Sequence, residues 1–152
     1  MAIKDLAVAY NGSSNAETAL AFAVRMCRKY QAALTGIYVH QPIGVEREVA
    51  RWATQDILDG IRKADREAAE QIHKQFESSL GVLGFEGPVE WVTEQGAINE
   101  NLSRFARYHD ILLMGQFSEP GERSAQVRAE ALMMHTGRPV LTVPIDYQPR
   151  DF

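Results

Sequence analysis

The sequence predicts an α/β domain, an open and mostly parallel five-stranded sheet with helices on both faces in three layers. Short apolar runs typical of buried strands alternate with segments whose apolar residues recur every three or four positions. The segment at 110–144, DILLMGQFSEPGERSAQVRAEALMMHTGRPVLTVP, follows this order once more, as strand, glycine-led loop, helix and strand. Such repetition favours right-handed crossovers and therefore a parallel sheet.

The first half of the chain is predicted to contain two strands and two helices. The strands are LAVAY at 6–10 and ALTGIYVH at 33–40. Between them a helical apolar pattern begins, and Ser14 with Glu17 three residues later has the pattern of a capping box. The second helix is long, and its predicted core stripe consists of Val49, Ala53, Ile57, Ile61, Ala64, Ala68, Ile72, Phe76 and Leu80, before an end at Gly81 and Gly84.

The second half is predicted to contain three strands separated by two shorter helices. In order, these are a strand at 88–94, a helix with Ile98, Leu102 and Phe105 inward, a strand at 110–115, a helix from about Ser124 to His135, and a strand at 139–144. Gly137 is expected to end the last helix in a left-handed conformation.

Length and charge restrict the class of protein. The chain has 152 residues, of which 45% are hydrophobic, and we predict one domain at 1–144 followed by a C-terminal tail at 145–152. A net charge of -4 with scattered Lys and Arg gives no basic patch, so nucleic acid and membrane are not expected partners. Neither a signal-peptide pattern nor an 18-residue apolar run is visible, and we expect a cytoplasmic protein. The single cysteine, Cys27, is expected to be a buried structural thiol.

Ligands of open parallel sheets bind beyond the carboxyl ends of the strands, where the strand order reverses. The residues that matter are therefore those at 10–13, 40–42, 95–96 and 115–124. No Walker phosphate loop or dinucleotide-binding glycine pattern occurs there, and a receiver domain would need acidic residues and a lysine that are missing. The histidines are scattered and no nucleophile–base pair is visible, so we predict no metal site and no catalysis.

Three segments, AVAYNGSSNAETAL, GIYVH and the stretch from DILLMG to GRPVLTVP, together resemble the universal stress protein family across nearly the whole chain. The resemblance implies a Rossmann-like fold of the adenine nucleotide alpha hydrolase-like type and ATP as the cofactor to consider. In that family the fourth strand ends in a loop of the form Gly, two residues, Gly, nine residues, then Gly-Ser or Gly-Thr. Glycines let backbone amides close around phosphate oxygens, and the following helix N-terminus adds positive potential.

This chain departs from the family's loop, so the nucleotide site is predicted to be degenerate. Gly115 matches the first glycine, but Ser118 occupies the second position and Arg128-Ala129 the final pair. A loop two residues shorter places Gln126-Val127 there instead. The loop also carries Glu119 and Glu122, which would repel a triphosphate. Asn11 stands where the family has an aspartate that helps to hold a metal ion.

The predicted site residues come from the carboxyl edge of the sheet. Tyr10 is predicted either to stack on a base or to occupy the adenine space itself. Arg123 and Ser124 remain to hold an anion, or are an exposed loop arginine and an N-cap serine. The full set is Tyr10, Asn11, Gly12, His40, Gly115, Gln116, Arg123 and Ser124.

The sequence is compatible with three functions. The first is a non-catalytic binding or regulatory module in a stress response, and the second is an ATP-binding stress protein with an altered phosphate loop. The third is an adenine-nucleotide enzyme of the same architecture, although NGSSNA lacks the Ser-Gly-Gly-x-Asp-Ser loop of such enzymes. The resemblance also implies a homodimer through the edge strand at 139–144, and a tandem universal stress protein domain as a further partner.

Overall fold

The computed structural model describes residues 2–41, 51–116 and 127–150. Along the chain, strands and helices alternate as the periodicity predicts. The strands are β1 (Asp5–Ala9), β2 (Ala33–His40), β3 (Val89–Gln95), β4 (Ile111–Gly115) and β5 (Val140–Val143). The helices that separate them are α1 (Ser14–Tyr30), α2 (Gln55–Leu83), α3 (Ile98–Ala106) and α4 (Ala129–Thr136).

The five strands form one parallel sheet in the order β3-β2-β1-β4-β5, which confirms the predicted fold class. Strand β1 is central and pairs on both sides, so that Leu6 lies opposite Leu34 of β2 and Ile111 of β4. From β1 the chain first builds outward to β3 and then returns to add β4 and β5 on the other side. The reversal of strand order therefore falls between β1 and β4, where a crevice opens at the carboxyl ends.

The hydrophobic core has two layers, one on each face of the sheet. On one face, α1 and α2 cover inward-facing residues of the central strands, among them Leu6 and Val8, and α2 itself contributes Phe76. On the other face, α3 and α4 cover a second cluster that includes Ala7 and Leu112. Alternate residues of β1 thus enter opposite layers, as the two-residue period of a strand requires.

The capping box predicted at Ser14 and Glu17 is wrong by one residue and by mechanism. Ser13 is the N-cap, and its Oγ accepts a hydrogen bond from the backbone N–H of Ala16 at 3.2 Å. Glu17 does not return to the cap, because its carboxylate instead accepts hydrogen bonds from Gln75 at 3.1 Å and Ser79 at 3.0 Å. Contacts with α2 thus replace the local cap that the spacing suggested.

Helix α2 starts later and is less buried than its apolar stripe predicts. It begins at Gln55 with Thr54 as N-cap, so Ala53 lies outside it, and Val49 lies outside the described residues. The helix runs through Gly81 and ends at Gly84, which has a positive φ of 62°. Ile57 is 52% exposed, since a helix of 29 residues spans roughly 44 Å and extends beyond the sheet that buries its other end.

Helix α4 also begins later than predicted. Val127 and Arg128 are not helical, and Arg128 occupies the N-cap position, so a continuous helix from about Ser124 is wrong. The start at Ser124 itself lies outside the described residues. The predicted end is confirmed, because Gly137 has a φ of 61° and closes the helix in the left-handed conformation.

Residues 145–150 run back over α1. The ring of Tyr147 packs edge-on against Phe22, with 5.1 Å between the ring centroids, and Arg25 donates a hydrogen bond to the carbonyl of Arg150 at 2.6 Å. Within the described part of the chain, no helix is both long and apolar enough to cross a membrane.

Candidate functional site

A cavity of about 360 Å³ opens at the carboxyl ends of β1, β2 and β4, where the strand order reverses. Its position is the one at which open parallel sheets bind ligands, and its volume lies within the usual range for a small-molecule site. It is lined by Ala9, Tyr10, Asn11, Ser13, Asn15, Ala16, Ile37, Tyr38, Val39, His40, Gln41, Ile98, Leu102, Met114, Gly115 and Val127.

The lining divides into an apolar wall and a polar rim. Strand ends and α3 supply the wall, which includes Val39, Leu102 and Met114 and continues the core layer beneath it. The rim is formed by the start of α1, with Asn11 and its neighbours, and by the end of β2. An apolar slot beside convergent amide, hydroxyl and imidazole groups suits a flat ring that carries a polar substituent.

Asn11 and Ser13 shape the rim through hydrogen bonds to the backbone. The side-chain oxygen of Asn11 accepts a hydrogen bond from the Ser13 N–H at 3.1 Å. Gly12 between them has a φ of 77°, and its carbonyl accepts a hydrogen bond from Gln75 of α2 at 3.0 Å. Asn11 and Ser13 line the cavity, whereas Gly12, a predicted ligand residue, serves the turn and does not line it.

Gly115 lines the cavity, and its small size has a packing cause. A Cβ at this position would lie 2.5 Å from the backbone oxygen of Asn15 in the first turn of α1. The glycine that the resemblance assigns to a phosphate loop is thus required where β4 meets α1. Asn15 Oδ1 is itself buried and accepts no hydrogen bond from the described part of the chain.

The base-stacking role predicted for Tyr10 is corrected by the direction of its side chain. The ring is 1% exposed and packs edge-on against Phe76, with centroids 5.3 Å apart, in the core layer under α1 and α2. Its hydroxyl donates a hydrogen bond to Glu17. Burial, followed by this hydrogen bond, raises the pKa of Tyr10 above its ordinary value. The ring therefore presents no face on which a base stacks, although Tyr10 is among the residues that line the cavity.

His40 lies at the end of β2 and borders two openings. Its ring stacks on Tyr38 with centroids 5.1 Å apart and 15° between the ring planes. It lines the cavity described above and also a neighbouring cleft between α2 and the ends of β2 and β3. Burial, and then the charge of Asp65, raises the pKa of Tyr38, so this phenol stays protonated beneath His40 at neutral pH.

The remaining predicted site residues do not line the cavity or lie outside the residues that the structure describes. Gln116 is exposed and its N–H donates to the carbonyl of Val143 at 2.8 Å, so it continues the pairing of β4 with β5 and does not line the cavity. Arg123 and Ser124 lie outside the described residues. Among the residues that the structure describes, no three His, Cys, Asp or Glu side chains are grouped to hold a metal ion.

Sequence reasoning missed the residues of the apolar wall and the buried amide of Asn15. Val39 and Met114 are the last inward-facing residues of their strands, so strand alternation was the signal that identifies them. Ile98 and Leu102 were predicted as core because a helical apolar stripe does not show where the core opens into a cavity.

Sheet order, layers and cavity define an open, doubly wound α/β domain with a ligand-sized site at its switch point. No protein-family model matches the sequence, and neither does any curated protein. Solved structures do match, and their similarity shows that the chain has the fold of the universal stress proteins.

Three of these structures illustrate the similarity. Universal stress protein UspA from Lactobacillus plantarum matches with a TM-score of 0.73 and 12% identity over 94% of this chain and 99% of that one. A universal stress protein family protein from Arabidopsis thaliana with AMP bound has a TM-score of 0.60 and 13% identity, over 93% and 91%. The universal stress protein from Archaeoglobus fulgidus in complex with dAMP has a TM-score of 0.56 and 17% identity, over 93% and 98%.

Proposed function

We propose that this chain is a non-catalytic regulatory module of the universal stress protein kind, which acts in a stress response by binding an adenine nucleotide mainly through its nucleoside part. The observation that carries the proposal is the cavity at the switch point, with an apolar wall on one side and a polar rim on the other. Structures of the same fold that hold AMP and dAMP support the choice of ligand class.

The wall and the rim account for the two parts of a nucleoside. Burying a purine ring against Val39, Leu102 and Met114 removes apolar surface from water, at roughly 25 cal/mol per Å². The hydroxyl and amide groups of the rim offer hydrogen bonds to a ribose.

We expect this chain to bind the phosphates of a nucleotide less tightly than the family's glycine loop does. Glu119 and Glu122 place negative charge in the segment after Gly115, and Asn11 lacks the carboxylate that would help to hold a metal ion beside a triphosphate. We therefore expect binding that gains little from the second and third phosphates of ATP.

The non-catalytic part of the proposal rests on the chemistry of the lining. Ser13 has its Oγ engaged with the backbone N–H of Ala16, and no base accepts its proton in the described structure. Cys27 is 1% exposed and lies in the core, away from the cavity. An activated nucleophile needs an adjacent base, and none of the described residues serves as one for Ser13 or Cys27.

Calorimetry with AMP and ATP tests the proposal, on protein first cleared of carried-over nucleotide by denaturation and refolding. Val39→Phe should fill the slot and lower AMP affinity at least about tenfold, or about 1.4 kcal/mol, whereas Val82→Phe on the exposed face of α2 should leave it unchanged. The proposal fails if wild-type protein does not bind AMP at millimolar concentration, or if both variants bind it equally.

We also propose that the chain forms a homodimer through the edge strand at 139–144, as the resemblance implies. Strand β5 is at one end of the sheet order, and Met134 of α4 and Ile145 after β5 are 84% and 48% exposed. An unpaired strand edge beside apolar side chains favours association, with a second copy or with a tandem domain of the same fold. Light scattering should give a dimer mass, and a monomer at high protein concentration would refute this part.

A further inference from the structure

We propose that the phosphate of the bound nucleotide lies in the cleft beside His40, against Arg62 and Arg66 of α2, and not along the segment that follows β4. The inference rests on the proposed function. It adds the orientation of the nucleotide in its site and a preference for a nucleotide with a single phosphate.

The cleft is a second opening of about 490 Å³ between α2 and the ends of β2 and β3. Its charged and polar lining comes from Asp59, Arg62, Asp65 and Arg66 of α2 and from Thr93 and Gln95 of β3. His40 lines both this cleft and the apolar cavity. His40 thus borders both openings at the end of β2, and we place the nucleotide across it, with its ring in the cavity and its phosphate in the cleft.

Among the described lining residues, lysine and arginine side chains are found only in the cleft. None of the described residues that line the apolar cavity is a lysine or an arginine, whereas the cleft has two guanidinium groups. Arginine binds phosphate through two parallel N–H donors, which gives both affinity and orientation. The segment 117–126 after β4 carries Glu119 and Glu122 against the single cation Arg123, so its charge is net negative and favours the side of His40.

Both arginines are available to an anion. Arg66 forms no ion pair with the described part of the chain. Arg62 contacts Asp59 at 3.2 Å, with side chains 67% and 59% exposed. An exposed pair of this kind contributes about 0–1 kcal/mol, so a phosphate displaces the carboxylate at little cost.

The two carboxylates in the cleft limit how much negative charge it accepts. Asp65 accepts a hydrogen bond from Gln95 at 3.5 Å, and Asp59 still lines the cleft after a phosphate has taken its place on Arg62. The charges of the two guanidinium groups and the two carboxylates in the described lining cancel. One phosphate is then matched by the arginines, whereas further phosphates meet the carboxylates. AMP is therefore the nucleotide that the cleft fits, ahead of ATP.

Calorimetry on the full chain with adenosine, AMP and ATP tests this direction. In the wild type, AMP should bind about tenfold more tightly than adenosine, and ATP no more tightly than AMP. Arg66→Gln and Arg62→Gln should remove most of the difference between AMP and adenosine and leave adenosine binding within about twofold. Lys63→Gln is the matched control, because Lys63 lies between them in sequence, pairs with Glu67 at 3.8 Å and does not line the cleft.

The outcomes separate this inference from the proposed function. If the double variant Arg62→Gln, Arg66→Gln keeps the wild-type ratio of AMP to adenosine affinity, the phosphate lies elsewhere and the inference is overturned. An ATP affinity far above that of AMP would also overturn it. If adenosine and AMP both fail to bind, the proposed function fails first, because adenosine carries no phosphate and its binding does not depend on the arginines.

Discussion

Replacing Gly115 by alanine tests whether the stability of the fold depends on the close approach of β4 to α1 beside the cavity. The added Cβ would lie 2.5 Å from the backbone oxygen of Asn15 and 2.7 Å from its Cβ. These atoms belong to the first turn of a helix and cannot rotate away, so the helix or the strand must shift. Overpacking usually costs about 1–3 kcal/mol, and contact with backbone places this substitution near the upper end. For a chain of this length the loss corresponds to a melting temperature lower by roughly 4–12 °C.

Urea denaturation followed by circular dichroism measures the loss directly. The matched control is Gly81→Ala on α2, where an added Cβ meets no atom within 4 Å and the backbone is helical. There the same substitution should stabilise the protein by up to about 1 kcal/mol, because alanine forms helix more readily than glycine. A Gly115→Ala protein within about 0.5 kcal/mol of the wild type would refute the packing argument, since typical surface changes are that small.

Three further substitutions or reactions have expected outcomes. Tyr10→Phe should cost about 1–3 kcal/mol in urea denaturation, because it removes a hydrogen bond to the Glu17 carboxylate, and an unchanged midpoint would contradict that role. Cys27, whose pKa burial raises to about 12, should react with a chromogenic disulfide only when urea unfolds the chain, and rapid labelling of native protein would show otherwise. Asp110 accepts backbone N–H bonds from Lys4 and Asp5, which lower its pKa, so its carboxylate stabilises the fold above its unfolded pKa and loses that effect as pH falls through the folded one. Asp110→Asn should therefore be less stable than wild type at pH 7, with a difference that shrinks below about pH 4, and a difference independent of pH would exclude this cause.

The fold could be predicted from the sequence because its signals are repeated and local. Apolar runs such as those around Leu6 and Leu34 mark strands buried on both faces, and the alternation with helical stripes fixes a parallel sheet. The left-handed end of α4 at Gly137 was predicted for the same reason, since a glycine after a helical stripe has few other uses.

The candidate site was predicted less well because its residues depend on long-range contacts. Tyr10 follows β1 and continues the inward direction of Leu6 and Val8, so its ring packs in the core and offers no face to a ligand. Glu17 was assigned to a local cap, but side chains of α2, more than fifty residues away, take its carboxylate. Spacing within one helix carries no information about such partners.

The position of the cavity followed from topology, whereas its wall did not. Parallel strands and a reversal of order direct attention to the ends of β1, β2 and β4, where Asn11, His40 and Gly115 do line it. The packing of α3 over the strand ends decides which apolar residues face the opening. The helical periodicity that identified Leu102 as core is the same for a residue in the core and for one that lines a cavity.

The most direct test of the central claim is a nuclear magnetic resonance titration of ¹⁵N-labelled protein with AMP. With AMP in the cavity, shifted amides should lie at the carboxyl edge, in 9–16, 37–41 and 113–115, with further shifts at 62–66 on α2. Amides at the opposite edge of the sheet, such as those of Asp5, Ala33 and Val89 where β1, β2 and β3 begin, should stay in place. Saturable shifts confined to that opposite edge, or no saturable shifts at millimolar AMP, would contradict the account.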